Sequence, residues 1–113
     1  MLTTAAVLFG AGALVGLYMV VRYFQGKGWP IGVALVHGLF GASGLVVLAW
    51  AVYQGLGTGG YLTTIALVLF VGAALGGFVL FAAHLRGQAF SRPLVVIHAG
   101  VAAVGLVLLL LSL

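Results

Sequence analysis

Four long apolar stretches, broken only by short turns, constrain this chain more than any other feature. They run roughly from Leu2 to Phe24, Pro30 to Tyr53, Tyr61 to Leu85 and Pro93 to Leu113. Crossing the hydrocarbon of a bilayer takes about 20 apolar residues as a helix, so each stretch is long enough to span. In lipid an unpaired backbone group costs several kcal/mol, and no alternating strand pattern is present, so each stretch predicts a continuous helix. The expected fold class is all-α, a four-helix transmembrane bundle running up and down, with the lipid bilayer as its first partner. With 65% apolar and 4% charged residues and no Asp or Glu, the chain has too little polar surface for a soluble monomer.

The formal charge of +4 comes from four residues. Arg22 and Lys27 flank the first loop, Arg86 and Arg92 flank the third, and the second, Gln54 to Thr64, carries no charge. The positive-inside rule then predicts cytoplasmic first and third loops, both termini outside, and a multi-pass protein of a bacterial inner membrane. Scattered basic groups at helix ends read as topology signals and headgroup contacts, not as a nucleic-acid surface. The N-terminal stretch lacks a basic n-region and is expected to be retained as a span, not cleaved as a signal peptide. Without cysteine, disulfides and thiolate metal sites are excluded.

Sliding the chain along itself by 61 positions matches fifteen of fifty-two aligned pairs. Among them are Phe9 with Phe70, Gly16 with Gly77, Gly26 with Gly87, His37 with His98 and Gly44 with Gly105. Leu, Val, Ala and Gly match easily in such a chain, so the aligned histidines are the informative pair. The expectation is a tandem duplication of a two-helix unit, residues 1–54 and 62–113, forming one membrane domain. Its halves share orientation, which puts the second and fourth helices diagonally opposite.

The loops fit this plan. The first and third are short, and each supplies a proline suited to opening a helix, Pro30 and Pro93. Trp29, Phe90, Tyr23 and Tyr61 read as interfacial anchors. The glycine-rich middle connection, Gly55 to Gly60, is expected to be the most mobile part. Gly12 with Gly16, and Gly72 with Gly76, have the spacing that lets transmembrane backbones approach closely, and helix packing is their plain explanation.

An ionisable group inside a span is expensive enough to suggest function. His37 and His98 are expected to face one axis at similar depth, roughly 8 to 10 Å inside the charged end at 1.5 Å per residue. Neutral imidazole is a common metal ligand and an axial ligand of haem iron. One and two turns beyond His37 stand Gly41 and Gly44, and beyond His98 stand Ala102 and Gly105, which predicts a flat slot beside each imidazole. Arg22, Arg86, Arg92 and Lys27 could pair with the propionates of a haem in that slot. The competing reading is an interhelical hydrogen bond from imidazole to Ser43, Tyr18 or a backbone carbonyl. His84, two residues before Arg86, reads as an interfacial anchor. Its alternatives are a propionate contact, a proton relay to a quinone headgroup, or a third ligand that completes a copper or zinc site with His37 and His98.

On His37, His98 and the helix count, the chain resembles the small four-helix membrane b-type cytochromes, whose haems are gripped by histidines from facing helices. That resemblance implies one bis-histidine haem b and quinone-linked electron transfer. It departs from the diheme members, which need four helix-borne ligands.

Three other functions compete with this one. Small multidrug exporters share the length, but they couple ions through a membrane-embedded carboxylate that is missing here. Independent enzymatic activity is not expected, since no nucleophile and base, no carboxylate and no extramembrane domain are present. A non-catalytic accessory subunit of a larger respiratory or photosynthetic complex, or a homo-oligomer, suits the glycine-lined spans and minimal loops, and would need no cofactor.

Overall fold

A backbone in hydrocarbon has only itself for hydrogen bonding, and the computed structural model resolves that demand with four helices. It describes residues 1–57 and 60–113: α1 Leu2–Phe24, α2 Ile31–Tyr53, α3 Leu62–Leu85 and α4 Arg92–Leu111. Among the described residues there is no strand. All four helices are long and apolar enough to cross a membrane. Each lies beside two others, α1 and α3 both flanked by α2 and α4, so α2 and α4 are diagonal.

Helix ends follow local chemistry. After α1, Gly26 adopts φ 71°, so its N–H reaches Tyr23 O at 3.0 Å and the Lys27 N–H reaches Arg22 O at 2.9 Å. After α3, Gly87 adopts φ 64°, with Gly87 N–H on His84 O at 3.1 Å and Gln88 N–H on Ala83 O at 2.9 Å. These paired bonds cap carbonyls that the helix leaves open, in a left-handed conformation that glycine reaches without Cβ strain. The prolines sit one place away from the expected first helical position. Pro30 is the cap residue before α2, whereas Pro93 is the second residue of α4, behind Ser91, whose Oγ accepts the Leu94 N–H at 3.4 Å. Both places tolerate a missing N–H, because the first-turn donors have no helical acceptor.

Of the middle connection, Thr58 and Gly59 lie outside the described residues, and with them part of the expected mobile segment. Gly57 is packed against the bundle end: a Cβ there would meet Thr63 Oγ1 and, at 3.2 Å, Leu2 Cδ1.

Burial is uneven along the bundle. Buried residues of α1 are Ala5, Ala6, Phe9 and Gly12, and those of α3 are Thr63, Ala66, Phe70 and Ala73. None follows in the second half of either helix. The main core, with Leu48 and Leu109 fully enclosed, therefore fills the end that carries the chain termini. Towards the charged end, α2 and α4 bury only Ala34 and Val95 before Gly44 and Gly105.

Candidate functional site: the paired histidines

His37 and His98 meet across the middle of the bundle, with ring centroids 6.1 Å apart and planes at 75°. Each is half-buried and anchored within its own hairpin. His37 Nδ1 lies 2.8 Å from Gly12 O, and His98 Nδ1 lies 2.7 Å from Ala73 O. A carbonyl can only accept, so Nδ1 carries the proton and donates, and in the neutral ring Nε2 is left with its lone pair. Of the partners foreseen for these imidazoles, the backbone carbonyl is the one used; Ser43 and Tyr18 are not.

Small residues make this approach possible. A Cβ on Gly16 would stand 2.9 Å from His37 Cε1, and one on Gly77 would stand 3.1 Å from His98 Cε1. Gly16 and Gly77 thus form seats for the two rings, a role beyond general helix packing. Gly12 does serve close packing, since its Cβ would meet Phe40 Cβ at 3.3 Å. Gly72 does not: nothing approaches within 4 Å of the place its Cβ would occupy. The α3 contact expected from Gly72 and Gly76 falls instead on Gly76 and Gly77, which face Leu94 and His98.

The expected flat slot does not form beside Gly44 and Gly105. A Cβ on Gly44 would lie 3.0 Å from the Phe9 ring, and one on Gly105 would lie 3.4 Å from the Phe70 ring. Phe9 and Phe70 themselves stack face to face at 3.6 Å, with planes 2° apart. The gap foreseen beside Gly44 and Gly105 is therefore filled by aromatic rings. One turn nearer the imidazoles, Gly41 has open space where a Cβ would project, and Ala102 is partly exposed.

The basic residues gather at the charged end, where Arg22 and Arg92 have partners of their own. Arg22 Nε donates to Gly28 O at 2.8 Å, and its guanidinium lies 5.9 Å from the Tyr18 ring centroid. Arg92 lies 5.2 Å from the Phe24 ring centroid, and Arg86 caps the end of α3. His84 is not brought to the histidine pair. It packs edge-on against Trp29 and Phe90, each at 6.1 Å, and among the described residues no three His, Cys, Asp or Glu side chains come together as a metal site. The aromatics expected to anchor in the interface split. Trp29 and Phe90 stack on each other at 5.6 Å, with Tyr23 edge-on to Phe90, while Tyr61 is exposed.

Three pairs related by the 61-residue offset thus meet each other: Phe9 with Phe70, Trp29 with Phe90, and His37 with His98. Their supporting contacts repeat at the same offset, Gly12 O with Ala73 O and Gly16 with Gly77. Sequence reasoning singled out only the histidines. The offset itself was the signal for the rest, because two residues related by an approximate twofold can touch only on its axis.

The chain matches no family model, and comparison with curated proteins and with solved structures returns no match.

Proposed function

We propose that this protein is a small membrane b-type haem protein that relays electrons through one iron held by His37 and His98. The observation that carries the reading is the spacing of two oriented imidazoles. Metal–nitrogen bonds of about 2 Å put the ring centroids of two imidazoles on one ion about 6 Å apart, and this pair stands at 6.1 Å. A ligating histidine usually donates its other ring N–H to a carbonyl or carboxylate, which fixes tautomer and orientation. Gly12 O and Ala73 O do this for both rings.

The macrocycle would have to sit on the Gly41 and Ala102 side of the rings, because Phe9 and Phe70 fill the space beside Gly44 and Gly105. In this reading the bound iron supplies one-electron exchange. The protein's part is to hold two neutral Nε2 lone pairs in the bilayer, keep carboxylates away, and offer Arg22, Arg86 and Arg92 to the propionates. The repeated contacts support a tandem duplication of a two-helix unit. The charge on the first and third loops supports an inner-membrane orientation with both termini outside. A quinone in the membrane is the redox partner this position suits.

The test is an absorption spectrum of the purified protein after haem-replete expression. A Soret band and a sharp α-band on reduction, both lost in His37→Ala and in His98→Ala, are expected. A colourless preparation overturns the haem reading, and metal analysis then separates a copper or zinc site from none. A second reading, an accessory subunit built for helix packing, draws on the same two hydrogen bonds, because they satisfy Nδ1 without any metal.

A further inference from the structure

Each histidine ring is held at two points by its own hairpin. The first is the Nδ1 bond, 2.8 Å to Gly12 O for His37 and 2.7 Å to Ala73 O for His98. The second is a glycine one turn further along the same helix. A Cβ on Gly16 would stand 2.9 Å from His37 Cε1, 3.3 Å from its Nδ1 and 3.8 Å from its Nε2. A Cβ on Gly77 would stand 3.1, 3.6 and 3.9 Å from the same atoms of His98. Both seats therefore lie against Cε1, the ring carbon between the two nitrogens. A bond at Nδ1 and a wall at Cε1 together restrict both side-chain torsions, and with them the plane of the imidazole.

Those planes cross at 75°. Neither restraint comes from the opposite hairpin, so the crossing belongs to the hairpins and not to contact between the rings. The hairpins are tied to each other by the Phe9–Phe70 stack towards one end of the bundle and the Trp29–Phe90 stack towards the other. Ring planes matter to an iron between them. An axial imidazole donates π density to the iron d orbital perpendicular to its plane. Parallel rings load one such orbital of ferric iron and stabilise it. Crossed rings divide the load between two, stabilise the ferric form less and so raise the potential, which axial ligands and the bonds behind them control.

We propose that Gly16 and Gly77 are positioning residues which, with the carbonyls of Gly12 and Ala73, hold the two iron-ligating imidazoles in crossed planes and so set the potential of the bound haem. The inference rests on the haem reading above.

The experiment takes the full chain after haem-replete expression and records low-temperature electron paramagnetic resonance of the ferric protein, with a redox titration beside it. Wild type is expected to give one dominant low-field feature, the mark of two d orbitals close in energy, in place of three resolved features. Gly16→Ala and Gly77→Ala should each shift that feature and the midpoint potential, Gly16→Ala more because its clearance is tighter. Gly72→Ala, where no atom lies within 4 Å of the added methyl group, should leave both unmoved. Helical circular dichroism checks that the variants fold, and Gly77→Ala, the milder clash, carries the comparison where Gly16→Ala no longer takes up haem. Three well-resolved features from a coloured wild type overturn the crossed planes. An unmoved spectrum in the folded, coloured glycine variants overturns the seats. A colourless wild type removes the haem reading and the proposal together, whereas a coloured one with the wrong spectrum removes the proposal alone.

Discussion

At the end that carries the termini, two phenylalanines meet on the bundle axis, glycines make room for them, and Ala5, Ala66, Leu48 and Leu109 close around the stack. Further along the same axis two histidines meet, again with glycines making room, but few buried neighbours follow them towards the charged end. The device is the same and the chemistry differs. An aromatic stack gains from excluding everything else, whereas an imidazole with its Nδ1 engaged keeps one lone pair for something more. One half is built as a closed core, and the other is sparsely buried.

The sharpest way to break that contrast is to truncate one ring in each half. Phe9→Ala or Phe70→Ala should cost about 3–5 kcal/mol of stability, as large-to-small changes in packed cores do. His37→Ala should cost only about 1 kcal/mol, the scale of an interhelical hydrogen bond in a bilayer. Reversible unfolding in mixed micelles measures both. Equal losses would show that the histidine pair is as much a core as the phenylalanine pair.

Gly44→Ala and Gly105→Ala sharpen the comparison within the stack. A methyl group at Gly44 would meet the Phe9 ring at 3.0 Å, a clash expected to cost about 1–3 kcal/mol. At Gly105 the clearance is 3.4 Å, ordinary contact, so the cost should be distinctly smaller. Thermal unfolding of the two variants side by side gives the order; the reverse order would show that Phe9 and Phe70 are not held as described.

The helical pattern and its ends were legible in the sequence because apolar length, Gly26, Gly87 and the arginines each act locally. The histidine pair was legible because histidine is rare in this chain, so one aligned pair carried information. The fate of Gly44 and Gly105 was not legible. In a bilayer the inner and outer faces of a helix are almost equally apolar, so rotation about its axis is set by side-chain volume and not by polarity. Nothing in the alternation of residues told that Phe9 would turn onto Gly44 rather than face lipid. His84 lies beside Arg86 at the charged end, but its packing against Trp29 and Phe90 depends on a contact between the first and third loops that no local pattern encodes.

The smallest effects separate seats from spare positions. Gly16→Ala would put a methyl group 2.9 Å from His37 Cε1 and should turn that ring, which the imidazole resonances of the labelled protein would register as a shift. Gly72→Ala meets nothing within 4 Å and should leave those resonances unchanged, with stability altered by at most about 1 kcal/mol in favour of alanine. A Gly16→Ala protein with an undisturbed His37 signal would remove the seat from this account.

Each imidazole finds its acceptor 25 residues earlier in the same hairpin. The first hairpin can therefore leave the translocation channel with the Nδ1–H of His37 already paired, before the second has been synthesised. Membrane insertion can proceed in two self-sufficient steps, and only the meeting of the two rings waits for the whole chain.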